Sequence, residues 1–156
     1  MKHSIYIETS FVSYLTSRSS RDLVTAARQQ LTQDWWEEYR QNYKLYISQP
    51  VLIEAAGGDS IAAKRRLQIL KRIPTLAVTD EARIFAEFLV KETPFPTQAK
   101  IDALHIAIAS VHKLDFIITW NFRHIANASI RSKLEVLAQS KDLSLPTICT
   151  PEELKY

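Results

Sequence analysis

Short apolar runs alternate along this chain with longer segments of helical period. The first run, Ser4 to Ile7 (SIYI), predicts a strand that ends at Glu8, Thr9 and Ser10. A short helix from Phe11 to Leu15 follows, then a polar connection from Arg18 to Arg21. Ser20 with Asp22 offers a helix start, and Leu23, Ala27, Leu31, Trp35 and Tyr39 recur every four residues, which predicts an amphipathic helix reaching Tyr43. Leu45 to Ser48 (LYIS) predicts a second strand. Pro50 opens a short helix, VLIEAA, that Gly57 and Gly58 end. Asp59 or Ser60 caps a helix from Ile61 to Arg72, and Leu76 to Val78 predicts a third strand. Asp80 starts a helix with Ala82, Phe85, Ala86 and Leu89 facing inward, broken by Pro94 and Pro96.

The stretch from Lys100 to Asn127 organises the rest. Thr97 can cap its helix, which is apolar on almost every face, as buried helices are. Asp102, His105, Ala109 and His112 share one stripe of it by the spacing of three then four. A carboxylate and an imidazole therefore point the same way on an inside helix, which is costly unless they meet a ligand, a metal or a polar partner. Asp115 to Thr119 (DFIIT) predicts a fourth strand, followed by a polar turn with Asn121, Arg123, His124 and Asn127. A helix from Ile130 to Lys141 and an edge strand from Leu145 to Cys149 come next. Thr150, Pro151, Glu152 and Glu153 form a capping box that opens a last short helix.

Strands that alternate with helices predict an α/β fold, a three-layer α/β/α sandwich on a parallel sheet of about five strands. Length, with no internal repeat and no linker, predicts a single domain over residues 1–156. Hydrophobic residues make up 46% and charged residues 24%, the balance of a globular protein. Two adjacent glycines exclude Gly-rich phosphate loops. One cysteine, Cys149, excludes an internal disulfide and a multi-cysteine zinc site. The start lacks a signal-peptide pattern and no apolar run is long enough to span a bilayer, so a cytoplasmic protein with no membrane partner is expected. A net charge of +3 admits an anionic partner such as nucleic acid.

In parallel sheets, ligands bind beyond the carboxyl ends of the strands. Glu8 follows the first strand, Glu54 lies in the short helix after the second, Asn121 follows the fourth, and Asp102 opens the helix leading into it. With the first and fourth strands as neighbours, all four converge. Three carboxylates and an amide suit a hard cation, Mg²⁺ or Mn²⁺. Each residue also has a plainer reading. Glu8 could be an exposed residue near a helix start, Glu54 part of a solvated face, and Asp102 a partner of the helix dipole. His105 could be a packed histidine bonded to a backbone carbonyl. Lys64, Arg65, Arg66, Lys71 and Arg72 read first as a solvated face and second as an RNA contact.

The segments Y-I-E-T-S, S-x-P-V-L-I-E, D-A-L-H-I-A and D-F-I-I-T-W-N-F-R-H-I-A-N carry a resemblance. Together they look like the PIN-domain family, and most like its VapC-type toxin ribonucleases. The resemblance runs from Ile5 to the T-P-E-E segment. It implies acidic residues clustered at the carboxyl edge of the sheet that hold Mg²⁺ or Mn²⁺ and cleave RNA to 5′-phosphate and 3′-hydroxyl ends. By position Glu8, Glu54 and Asp102 stand for the family's acids and metal ligands, and Asn121 stands where many members carry a further aspartate. Thr9, Ser10 and Thr119 match smaller polar positions near the cluster, while His105, His124 and Asn127 belong to a subgroup pattern. Arg123 or His124 is placed to touch the scissile phosphate. The expected function is a metal-dependent endoribonuclease, the toxin of a toxin–antitoxin pair. RNA, a cognate antitoxin and a second copy of the chain are the partners to consider. The alternatives are a nuclease-inactive PIN fold that binds RNA or protein, and a small-molecule phosphatase on the same sheet.

Overall fold

The computed structural model describes residues 1–93, 95–96 and 99–155. Five strands, β1 (Ser4–Ile7), β2 (Lys44–Ser48), β3 (Thr75–Leu76), β4 (Phe116–Ile118) and β5 (Thr147–Cys149), form one parallel sheet in the order β3-β2-β1-β4-β5. The helices are α1 (Thr9–Thr16), α2 (Leu23–Glu38), α3 (Gln49–Ala55), α4 (Ser60–Leu70), α5 (Asp80–Glu92), α6 (Lys100–Val111) and α7 (Ala128–Ser140). This is the expected α/β architecture, with β1 central and paired to both β2 and β4.

Strands buried on both faces need continuous apolar side chains rather than alternating ones. Ile5, Tyr6 and Ile7 of β1 and Ile117 and Ile118 of β4 meet that need, each at most 1% exposed. Helix α6 is the sheet's most buried cover. Ala103, Ile106, Ala107, Ile108 and Ala109 are fully enclosed, and each buried isoleucine contributes about 1.5–3 kcal/mol. On the α2 side, Trp35 is also enclosed and its Nε1 donates to the Leu154 carbonyl at 2.6 Å, which ties the chain's last residues to the core.

Several boundaries differ from those read off the sequence, for local reasons. Helix α1 starts two residues earlier than expected, because Glu8 caps it by accepting from the Ser10 N–H. Helix α2 stops at Glu38 rather than Tyr43; the four-residue recurrence ends at Tyr39, and a 3₁₀ turn over Arg40–Asn42 delivers the chain to β2. Helix α4 ends at Leu70 and β3 is only Thr75–Leu76, one residue earlier and shorter than Leu76 to Val78. Strand β5 begins at Thr147, beyond Pro146, which has no N–H for a ladder. The capping box at Thr150 and Glu153 forms, but the turn it starts is 3₁₀. The expectations for Pro94 and Thr97 lie outside the described residues; the residue before α6 is Ala99, which makes no side-chain cap bond. Arg66 is not part of a free cationic face, since its Nε and Nη2 donate to the Ala55 and Gly57 carbonyls at 2.9 and 2.7 Å. No helix among the described residues is long and apolar enough to cross a membrane.

The amino ends of β1 and β4 are clipped together. Asp115 Oδ2 accepts from Ser4 N at 2.8 Å and Ser4 Oγ at 2.9 Å. The Ser4 backbone bond is the main reason the Asp115 carboxyl sits below the usual aspartate range; slight burial opposes it, and the Ser4 hydroxyl and His3 add to it. A depressed carboxyl contributes stability above its unfolded pKa and loses it as pH falls through the folded one. Asp115→Ala is therefore expected to cost about 1 kcal/mol at pH 7, a charge-assisted pair of bonds discounted for solvent exposure. In urea titrations the gap between variant and wild type should close on acidification below about pH 3.9, the ordinary aspartate value. A gap independent of pH would remove the charge from the account.

Candidate active site

The carboxyl ends of β1, β2 and β4 lie side by side, and each hands over to polar residues at once. After β1 come Glu8, Thr9 and Ser10, after β4 comes Thr119, and Ser48 ends β2. Glu8 continues the strand register, its N–H donating to the Ile118 carbonyl at 3.2 Å, while its side chain begins the α1 cap. The sheet and the helix start thus hold it from both ends. Glu54 reaches the same place from α3, which starts directly after β2 with Pro50 in its first turn.

Glu8 is 3% exposed, so it is not the solvated helix-start residue of the plainer reading. Its Oε2 accepts from Ser10 N at 2.9 Å, from Thr119 Oγ1 at 2.8 Å and from the Ser10 hydroxyl. Burial still dominates and pushes its carboxyl up, against the pull of His105 and of the hydroxyl donors. Glu54 is more open. Burial raises its carboxyl too, but the bond and charge of His105 and the Thr9 hydroxyl outweigh this and hold it below the usual glutamate range. Its Oε1 accepts from Thr9 Oγ1 at 2.7 Å and lies 2.5 Å from His105 Nε2.

His105 is fully enclosed on α6, and neither of its nitrogens bonds a backbone carbonyl. Its Nδ1 lies 2.5 Å from Tyr6 Oη, which lies 2.5 Å from Ser48 Oγ. Burial raises the Tyr6 hydroxyl far above its ordinary value, so it stays a phenol. With Glu54 ionised, Nε2 carries the proton it donates to Glu54 Oε1. In the neutral ring Nδ1 then accepts from Tyr6 and the Ser48 hydroxyl donates to the Tyr6 oxygen; in the charged ring, which pulls on the two acids, Nδ1 donates to Tyr6 and the Tyr6 hydroxyl donates to Ser48. A row of polar groups, Ser48, Tyr6, His105, Glu54 and Thr9, runs through an otherwise apolar core.

Glu8, Glu54 and His105 each offer a ligand atom within 4.8 Å of the others. Asp102, one turn before His105, turns elsewhere. Its Oδ2 lies 2.7 Å from His124 Nδ1, with both side chains largely covered. Asn121 builds the turn that brings His124 there. Its Oδ1 accepts from His124 N at 3.2 Å, and its carbonyl accepts from Ala126 N at 2.8 Å. Asn127 caps α7 by accepting from Ser129 N, and Arg123 is exposed on the same turn. So Glu8 is bonded with Ser10 and Thr119, and Glu54 with Thr9 and His105; Asp102 pairs with His124, and Asn121 links that pair to the Glu8 group, its N–H donating to Thr119 Oγ1 at 2.9 Å. Sequence reading missed Tyr6 and Ser48. Tyr6 sits at a strand position that only apolar packing seemed to need, and nothing in its neighbours marks a hydroxyl with work to do.

A family model described as PIN domain matches residues 5–129. The chain belongs to the PIN-domain family. Among solved structures, this PIN chain is similar to VapC20 of Mycobacterium tuberculosis, described as a Sarcin-Ricin loop cleaving toxin. That match has a TM-score of 0.61 and 19% identity, over 80% of this chain and 95% of that one. It is also similar to a chain of VapBC2 from Rickettsia felis, bound to a DNA fragment from their promoter. Here the TM-score is 0.58 and identity 13%, over 94% of this chain and 98% of that one. Among curated proteins none matches the chain. At these identities the solved structures speak for a shared fold, that of VapC toxins.

The donor set of this PIN domain fits a divalent cation. Each acid spends one oxygen on its neighbours. Among the described residues, Glu8 Oε1 and Glu54 Oε2 accept no hydrogen bond; Asp102, paired with His124, lies outside the group of ligand atoms within 4.8 Å of one another. Carboxylate oxygens held in place by the partner oxygen are what a hard cation takes. Without a cation, the raised carboxyl of Glu8 has a consequence for stability. Its contribution is fully present below the ordinary glutamate pKa and is lost as pH rises through the folded one. Glu8→Gln, which keeps the shape and an acceptor oxygen, is expected to raise Tm in chelator at pH 7.5 and to leave it unchanged near pH 4. Scanning calorimetry at the two pH values reads this, and a variant less stable at pH 7.5 would contradict it.

Proposed function

We propose that this PIN domain is a metal-dependent endoribonuclease and the toxin of a toxin–antitoxin pair. The observation that carries the reading is the set of acids, each fixed through one oxygen and free through the other, at the carboxyl edge of the sheet. Mg²⁺ or Mn²⁺ would be held by Glu8 and Glu54, with Asp102 at the border of the site. When bound it would supply Lewis acidity to the phosphate and a more acidic water at neutral pH.

The chain's own groups do the rest. Ser10 and Thr119 aim three donors at one oxygen of Glu8 and so fix the direction of the other. Thr9 and His105 do the same for Glu54. Asp102 sets the ring of His124 through Nδ1, which leaves Nε2 to meet a phosphate oxygen or its neighbour; Arg123 stands beside it on the turn. Asn121 we assign to building that turn, its side-chain oxygen being spent on the His124 N–H. Water attacking the phosphorus in line with the P–O3′ bond breaks that bond; its oxygen stays on the 5′ phosphate and a proton passes to the departing 3′ oxygen, which leaves as a hydroxyl. The solved neighbours, a Sarcin-Ricin loop cleaving toxin and VapBC2 bound to promoter DNA, support the reading of an RNA substrate and an antitoxin partner. The nuclease-inactive reading rests on Asn121, which brings no charge, and a binding module need not take up Mn²⁺.

Mn²⁺ is expected to stabilise the protein by mass action, about 2.7 kcal/mol at a hundredfold excess over Kd, a Tm gain of several degrees. Glu54→Gln should abolish that gain together with Mn²⁺-dependent cleavage of single-stranded RNA. A Tm unmoved by millimolar Mn²⁺ would sink the reading.

The buried row behind Glu54 gives a second expectation. His105→Gln and Tyr6→Phe leave both acids in place but loosen the hold on Glu54. Loss of such supporting bonds costs about 10- to 100-fold in metal affinity. Calorimetric titration of the folded variants with Mn²⁺ should show this, and wild-type affinity in both would reduce the row to core packing.

A further inference from the structure

Beside the acids lies a groove that the reading above leaves unused. The turn after β4 forms its floor, the first half of α2 one wall, and α7 with the end of β5 the other. Its volume is about 680 Å³, within the size of ligand clefts, roughly 300–1,000 Å³.

Trp120 is a fixed platform in it. The indole is 6% exposed, its Nε1 donates to Thr32 Oγ1 at 2.7 Å, and Tyr14 packs against it at 5.9 Å. Phe122 stands edge-on to Trp120 at 6.0 Å and is 42% exposed. The Arg28 guanidinium lies over both rings, 4.9 Å from the Phe122 centroid and 5.6 Å from that of Trp120. Arg131 brings a second guanidinium into the lining. Its Nε is the one shielded side-chain nitrogen or oxygen, among the described residues, that makes no hydrogen bond. A donor hidden from water with no acceptor carries the cost of an unmade bond.

The groove adjoins the acids through the backbone of Trp120. The Trp120 N–H donates to Ser10 Oγ at 2.8 Å, and that hydroxyl donates to Glu8. A chain whose phosphate sits at the acids can reach Trp120 and Phe122 with its next unit. We propose that this groove binds the nucleotide adjoining the scissile phosphate of a single-stranded RNA. Its base stacks on Phe122, and its phosphates are met by Arg28 and Arg131. The proposal rests on the ribonuclease reading. Aromatic faces interleaved with guanidinium groups are how single strands are gripped without reading their sequence. A wholly apolar peptide would use the α2 rim, where Leu23 and Val24 are exposed, and leave both arginines unanswered. Two acids in the lining, Glu152 and Glu153, oppose the phosphates; Glu153 is held at the groove's end by Thr150 N at 2.8 Å, and Glu152 makes no such bond among the described residues.

The test is fluorescence anisotropy of a short labelled single-stranded oligoribonucleotide in chelator, where nothing is cleaved. Phe122→Ala should weaken binding about tenfold or more, and Phe122→Tyr should restore it. Arg28→Gln and Arg131→Gln should each flatten the salt dependence by about 0.7 in slope, while Glu152→Gln should tighten binding. Unchanged affinity in Phe122→Ala, with unchanged slopes in both arginine variants, overturns the proposal and leaves the groove to an apolar protein segment. Binding that depends on Phe122 in a protein that never cleaves RNA keeps the groove and sinks the nuclease reading. Mn²⁺-dependent cleavage whose KM is indifferent to Phe122→Ala does the reverse.

Discussion

The structure turns on one buried carboxylate. Glu8 ends the central strand, begins a helix and is almost fully enclosed. A charge in that position is tolerable only if its surroundings are built to receive it. Three donors from Ser10 and Thr119 converge on one of its oxygens, and the burial that raises its carboxyl is only partly offset by them and by His105. What remains is an appetite for positive charge at the carboxyl edge of the sheet. The neighbouring strand ends, the position of α3 and the polar row through α6 all bear on how that appetite is met.

The two acids at this edge are tuned in opposite directions by their surroundings. Glu8 is raised because its burial is nearly complete; burial raises Glu54 too, but the bond and charge of His105 and the Thr9 hydroxyl outweigh it and lower that carboxyl. The strongest polar couplings cross between elements that the chain brings together only on folding: β1 to α6 through Tyr6 and His105, and α3 to α6 through Glu54 and His105. Helix α6 therefore does two tasks. Its alanines and isoleucines seal the sheet, and one imidazole among them steadies an acid on a different helix. The second pair, Asp102 with His124, uses the same helix one turn earlier to anchor the turn that follows β4.

Fold and family were legible along the chain because they rest on local signals. Apolar runs without alternation mark strands covered on both faces, and glycine, proline and capping residues punctuate the helices between them. These placed every strand to within about two residues. Boundaries slipped where tertiary context decides the end, as at Glu38, where the chain must turn to enter β2, and at Thr147, past a proline that cannot join a ladder. The acids were legible as well. A carboxylate directly after an apolar strand, or alone in an apolar helix, stands out, with a local reading beside the functional one: Glu8 does cap α1.

What the sequence by itself determined was the order of elements, the family and the inventory of polar groups at the sheet's edge. Which group meets which was decided only in three dimensions. Asp102 and His105 share a helical stripe, and spacing alone aims them at one target. Yet Asp102 meets His124 and His105 meets Glu54. The reason is that a stripe one turn long spans about 5 Å along the axis, enough for its two ends to face different neighbours across the sheet edge. Tyr6 could not be told from its apolar strand-mates, because a phenol packs like a phenylalanine until something meets its hydroxyl. Side-chain pairing depends on distances across elements far apart in sequence, and no local pattern encodes those.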